Sequence, residues 1–201
     1  MLLNSKDRSG FAVGACSGTV IAPRAILTAA HCLTGETAVV RVWLGSGDEI
    51  IARSYTPHPA YRGTGSSAED VGIVLMDQSL GRTPIPLLLS RDARVGEGAV
   101  ISGWGRDLLN VPATLRAGAT TITRVSGTLL ETIFASNVSS VCSGDSGGPI
   151  LFFENGGWTI GGVISATSDT ACNTGTNFYI SIRNPAISSF VLSQVPDAGQ
   201  R

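Results

Sequence analysis

The apolar runs of this chain are short, β-branched and fenced by glycine or serine. Ala38-Val39-Val40-Arg41-Val42-Trp43-Leu44 is one such run, and Gly161-Gly162-Val163-Ile164 is another. Runs of this length and composition read as strands. Turn residues are plentiful between them, because the 201 residues include 25 glycines and 9 prolines. Composition and periodicity together reach a mostly β chain. Hydrophobic residues make up 43% and charged residues 14%, which marks a globular chain and not a disordered one. The length suffices for one unit with a sizeable core or for two small barrels. A formal net charge of −1 gives no electrostatic case for nucleic acid or for an anionic membrane surface. No apolar run reaches transmembrane length, and the cysteines show no metal-ligand spacing.

The strands fall into two sets. The first occupies residues 1–89 and the second residues 90–201. Thr83-Pro84-Ile85-Pro86 and Ser90-Arg91-Asp92-Ala93-Arg94 lie at the connection. Near the end, Asn184-Pro185 supplies a cap residue followed by proline at the first helical position. Ile187, Phe190 and Val191 then share one helical face, so a short closing helix is expected over residues 184–192.

Chemistry concentrates in Ser143-Gly144-Asp145-Ser146-Gly147-Gly148-Pro149. Glycine adopts backbone conformations that other residues avoid, so this turn can aim several N–H groups at one spot beside the Ser146 hydroxyl. Such donors can hold the negative oxygen of a tetrahedral acyl intermediate. A serine alone is a weak nucleophile and needs a base, with a further group to orient that base. His31 in Thr28-Ala29-Ala30-His31-Cys32 and Asp70 in Glu69-Asp70-Val71-Gly72-Ile73-Val74-Leu75 supply both, in the order His, Asp, Ser. Taken singly, the serine could sit in a plain glycine loop, the histidine could be structural and the aspartate could be a turn residue. The ordered trio makes those readings improbable. His58, the only other histidine, lies in Thr56-Pro57-His58-Pro59-Ala60-Tyr61 and reads as structural or exposed.

These segments resemble the trypsin- and chymotrypsin-type serine proteases. The resemblance also covers Ile101-Ser102-Gly103-Trp104-Gly105 and Gly162-Val163-Ile164-Ser165, and it runs through nearly the whole chain in order. It implies two antiparallel six-stranded β-barrels, residues 1–89 carrying His31 and Asp70, and residues 90–201 carrying Ser146 and a C-terminal helix. It implies a serine endopeptidase with an acyl-enzyme intermediate, an oxyanion hole from the Gly144 and Ser146 amides, and disulfides Cys16–Cys32 and Cys142–Cys172. Ser165 matches a serine that supports the aspartate at the edge of the substrate site. Ser140 falls at the floor of the specificity pocket, where an acid would select Arg or Lys, and Thr167 and Asn177 fall on its walls. No metal or cofactor is implied. Disulfides imply an oxidising compartment and hence secretion of a monomer acting on protein or peptide substrates.

Two departures stand out. Met1-Leu2-Leu3-Asn4-Ser5-Lys6 is not a secretory signal, because no long apolar stretch follows it. No Ile-Val-Gly-Gly-type start is present, and Met1 falls short of one by about one strand, roughly five or six residues. In the family that terminus pairs with the aspartate beside the nucleophile, here Asp145. The expectation is an Asp145 without a cationic partner and slow turnover, unless Arg106 or Arg124 replaces it. Two other classes compete. A silent homologue that acts as a binding protein usually loses a triad residue, and none is lost here. An esterase of the α/β-hydrolase class would show the order Ser, acid, His.

Overall fold

A computed structural model describes residues 1–63, 68–106, 114–169 and 171–201. The strand runs of the first half are β1 (Leu2–Lys6), β2 (Ala12–Ser17), β3 (Thr19–Ala22), β4 (Ala25–Thr28), β5 (Val39–Trp43), β6 (Ile50–Ile51), β7 (Ser54–Pro57) and β8 (Gly72–Leu75). They form two four-stranded antiparallel sheets, ordered β2-β1-β5-β6 and β3-β4-β8-β7. Gly18 alone separates β2 from β3, and Ala52 and Arg53 alone separate β6 from β7. The eight segments therefore amount to six runs, two of which bend to pass the chain from one sheet to the other.

The second half closes fully. Strands β9 (Gly98–Gly103), β10 (Arg116–Val125), β11 (Leu129–Ile133), β12 (Pro149–Glu154), β13 (Gly157–Thr167) and β14 (Thr176–Ser181) form a closed six-stranded barrel. Along β9, Ala99, Ile101 and Gly103 turn inward while Gly98, Val100 and Ser102 are more open, the period of two expected of a strand with one covered face. Closure leaves no sheet edge to manage. The chain ends in α1 (Pro185–Gln194), where Asn184 Oδ1 accepts from the Ala186 amide at 3.1 Å and Pro185 opens the first turn. Its buried face is Ile187, Phe190 and Val191, as the spacing predicts. Among the described residues, no helix is long and apolar enough to cross a membrane.

Two apolar clusters hold these parts. One lies inside the closed barrel around Ile122, Leu130, Ile150, Phe152 and Tyr179. The other runs from Leu3, Ile26 and Val42 of the first half through Ile160 and Ile180 of the second, and on to Ile187 and Val191 of α1. The halves thus share a core, and the polar residues discussed next lie along their seam.

Candidate active site

His31 sits on a single 3-10 turn, Ala30–Leu33, directly after β4. Asp70 directly precedes β8, and β4 pairs with β8 in a register that sets Thr28 opposite Gly72. That register brings the two side chains together. His31 Nδ1 lies 2.8 Å from Asp70 Oδ2, and the His31 amide donates to Asp70 Oδ1 at 2.8 Å. Ser165, on β13, donates its hydroxyl to Asp70 Oδ2 at 2.6 Å. Asp70 is 1% exposed, and a buried carboxylate is tolerated when such donors satisfy it. A carboxylate facing Nδ1 keeps the proton on that nitrogen and leaves Nε2 as the basic site. The His31 side chain remains 32% exposed, so the ring is not sealed in.

Ser146 lies in a turn braced from within. The Asp145 amide donates to Cys142 O at 3.0 Å, and the Gly148 amide donates to Asp145 O at 2.9 Å. Gly147 donates to Ile164 O at 2.8 Å, which ties the turn to β13. Gly147 has φ +82°, and a Cβ there would collide with Thr28 Oγ1 and Ser17 O and come within 2.9 Å of Ala29 N. Only glycine lets the backbone of the first half approach this closely. The Ser17 amide completes the approach by donating to Ser146 O at 2.7 Å. Ser17 follows Cys16, which is bridged to Cys32, the neighbour of His31. Among the described residues, neither the Gly144 nor the Ser146 amide donates to a protein acceptor.

Asp145 corrects an expectation. It does not lack partners: Gly105 N–H donates to its Oδ1 at 2.8 Å and Cys142 N–H to its Oδ2 at 2.9 Å. Glycines at 103 and 105 leave the room that its carboxylate fills, since a Cβ at either would strike it. Burial raises its pKa, opposed by those two amides and by the charge of Arg116. Arg116 also donates to Gly105 O at 3.3 Å. Among the described residues, Arg116 supplies the charge that opposes burial at Asp145. Arg124 instead pairs with Glu131 at 3.2 Å. The Met1 ammonium donates to Gly18 O at 2.7 Å. A cavity of about 730 Å³ lies behind the turn, bordered by Asp145, Arg116, Ser140, Cys142 and Ile164.

The remaining candidates lie near this turn. Ser140 donates to Asn177 Oδ1 at 3.0 Å, and Asn177 Nδ2 donates to Thr132 Oγ1 at 3.1 Å. Thr132 in turn meets the Tyr179 hydroxyl at 2.9 Å, and burial raises the Tyr179 pKa. Asn177 is fully buried, so its amide is held by this chain of bonds. Thr167 turns its hydroxyl to the carbonyl of Asp169. The second disulfide, Cys142–Cys172, joins the Ser146 turn to the segment after β13. The sulfurs of Cys16 and Cys32 lie near His31 but are committed to their own bridge. His58 is structural: it is buried, stacks edge-on against Phe190 at 4.7 Å, and accepts from the Ala60 amide at 3.2 Å.

The trypsin family profile matches residues 4–187, a span that contains all of these side chains up to Asn177 and Tyr179. The chain belongs to the trypsin family. It is 32% identical over 82% of its length to phenoloxidase-activating enzyme 1 of Spodoptera litura, covering 55% of that protein. It is 26% identical over 82% of its length to vitamin K-dependent protein C of Mus musculus, covering 42% of it. It is 30% identical over 79% of its length to chymotrypsin-C of Bos taurus, covering 70% of it. The chain thus spans about half the length of the first two. Membership in the trypsin family supports a peptidase function of the serine hydrolase type.

Three trypsin-fold contacts escaped the sequence reading. Ser17, Arg116 and Thr132 carry no motif of their own. Each matters through a partner that only the folded chain brings near.

Proposed function

We propose that this chain is a serine endopeptidase. In this reading residues 1–89 and 90–201 are the two halves of one catalytic unit. The observation that carries it is the buried Asp70 carboxylate, which takes His31 Nδ1, the His31 amide and the Ser165 hydroxyl at once. Ser146 attacks the scissile carbonyl while His31 takes its proton and later returns it to the leaving amine. Asp70 holds the imidazole tautomer and stabilises its charged form. The Gly144 and Ser146 amides receive the oxyanion, a role supported by their having no other acceptor among the described residues. This acyl-transfer chemistry draws on no metal or cofactor.

In this reading Ser140 floors the specificity pocket and Thr167 stands on a wall, while Asn177, fully buried, backs Ser140 from behind and forms no wall surface. A neutral Ser140 bonded to Asn177 offers no anion for an Arg or Lys side chain. Protein or peptide substrates, action as a monomer and a location outside the cell complete the proposal, supported by the two disulfides. The test is covalent labelling. A sulfonyl fluoride or phosphonofluoridate is expected to modify Ser146, with peptide hydrolysis lost in Ser146→Ala. Modification elsewhere, or full hydrolysis by that variant, overturns the reading.

A further inference from the structure

Two amides serve an oxyanion only if both point at the same spot. A peptide group is planar, so pinning its carbonyl aims its N–H. The Ser143–Gly144 peptide is pinned by the Arg106 amide on Ser143 O at 2.9 Å, and the Asp145–Ser146 peptide by the Gly148 amide on Asp145 O at 2.9 Å. The peptides that follow Gly144 and Ser146 have their N–H ends on Cys142 O and Ile164 O, and both of their carbonyls are held by a single residue of the other half. Ser17 Oγ donates to Gly144 O at 2.9 Å, and Ser17 N–H donates to Ser146 O at 2.7 Å. Each donor residue is therefore gripped on both sides.

The Ser17 hydroxyl has its direction set from behind. It accepts from the Trp104 amide at 2.8 Å, so its one proton is free to go to Gly144 O. Ser17 is 1% exposed, and its own carbonyl accepts from Thr28 Oγ1 at 2.8 Å. No rotamer change to solvent is open to it. We propose that Ser17 is a positioning residue of the oxyanion site, its hydroxyl reaching from the first half to bridge Trp104 and Gly144 of the second. The proposal rests on the reading of Ser146 as nucleophile. Without the hydroxyl, the Trp104 N–H and the Gly144 carbonyl lose a shared buried partner, and the Gly144–Asp145 peptide is held only through the Asp145 amide on Cys142 O.

The experiment compares Ser17→Ala and Ser17→Thr with the unmodified protein. Ser17→Ala is expected to lower kcat about 10- to 100-fold, less than the roughly 10²–10³ lost when a donor is deleted outright. KM should stay within about twofold, and a peptide boronate should weaken by the factor lost in kcat/KM. Ser17→Thr, which keeps the hydroxyl, should recover most of both. The crystal structure of Ser17→Ala should show the Gly144 carbonyl turned away from its present direction. A loss confined to KM with boronate affinity unchanged, or an unmoved Gly144 carbonyl, overturns the proposal. If the unmodified protein neither hydrolyses peptides nor labels at Ser146, the endopeptidase reading fails, and the carbonyl direction still decides whether Ser17 clamps the turn.

Discussion

Gly147→Ala should damage both stability and turnover, and the structure says why. An alanine at φ +82° enters the left-handed region, at a cost of roughly 1–2 kcal/mol. Its methyl would also strike Thr28 Oγ1 and Ser17 O. Thr28 and Ala29 are 0% exposed and Ser17 is 1% exposed, so the obstacle is packed backbone that cannot yield cheaply. Overpacking of this kind adds about 1–3 kcal/mol. The total of about 2–5 kcal/mol corresponds to a loss of roughly 4–20 °C in Tm for a domain of this size. Gly10→Ala isolates the clash, because Gly10 has φ +86° with nothing within 4 Å of the added methyl. It should lose only the conformational part, about 1–2 kcal/mol. Calorimetry of both variants measures the difference. Turnover should fall at least about tenfold in Gly147→Ala alone, since displacing the Ser146 turn from His31 by even about 1 Å is costly. Equal Tm shifts, or unchanged turnover in Gly147→Ala, would refute this account of the seam.

Arg116→Met removes the charge that opposes burial at Asp145, so the Asp145 pKa should climb further and turnover near neutral pH should drop, whereas Arg124→Met should leave turnover unchanged. Because burial raises the folded-state pKa of Asp145, its ionisation costs stability as pH rises through the window above the ordinary carboxylate range, and below that range the cost vanishes. Tm against pH should therefore show a downward contribution with rising pH that is absent in Asp145→Asn, and the opposite slope refutes the assignment. Replacing Cys142 and Cys172 by alanine opens a link between residues 30 apart and should lower the denaturation free energy by about 3–4 kcal/mol, read from the urea midpoint. A peptide-library digest should show no majority of cuts after Arg or Lys, with small to medium side chains preferred over Trp or Tyr. A clear Arg and Lys majority would mean that Ser140 does not floor the pocket.

Local signals made much of this protein legible in its sequence. Strand runs are read from short β-branched stretches bounded by glycine or serine, and the closing helix from Asn184, Pro185 and the shared face of Ile187, Phe190 and Val191. The candidate nucleophile, base and acid stand out because their chemistry demands particular residue types beside particular neighbours, such as glycines around Ser146. Tertiary structure decided the rest. The first half arranges its six runs in two sheets, two of them bending from one to the other, and no residue pattern marked where. Ser165 reaches Asp70 across 95 positions, a contact the family resemblance implies, whereas Ser17 reaches Gly144 across 127, a contact that only strand register and barrel packing choose. Asp145 appeared without a cationic partner in sequence because its neighbours in space, Gly105, Cys142 and the charge of Arg116, are gathered by the end of β9, the start of β10 and the Ser146 turn. A serine or arginine in an ordinary strand sequence carries no sign of such a role, because the role is a property of the burial and geometry that folding creates around it.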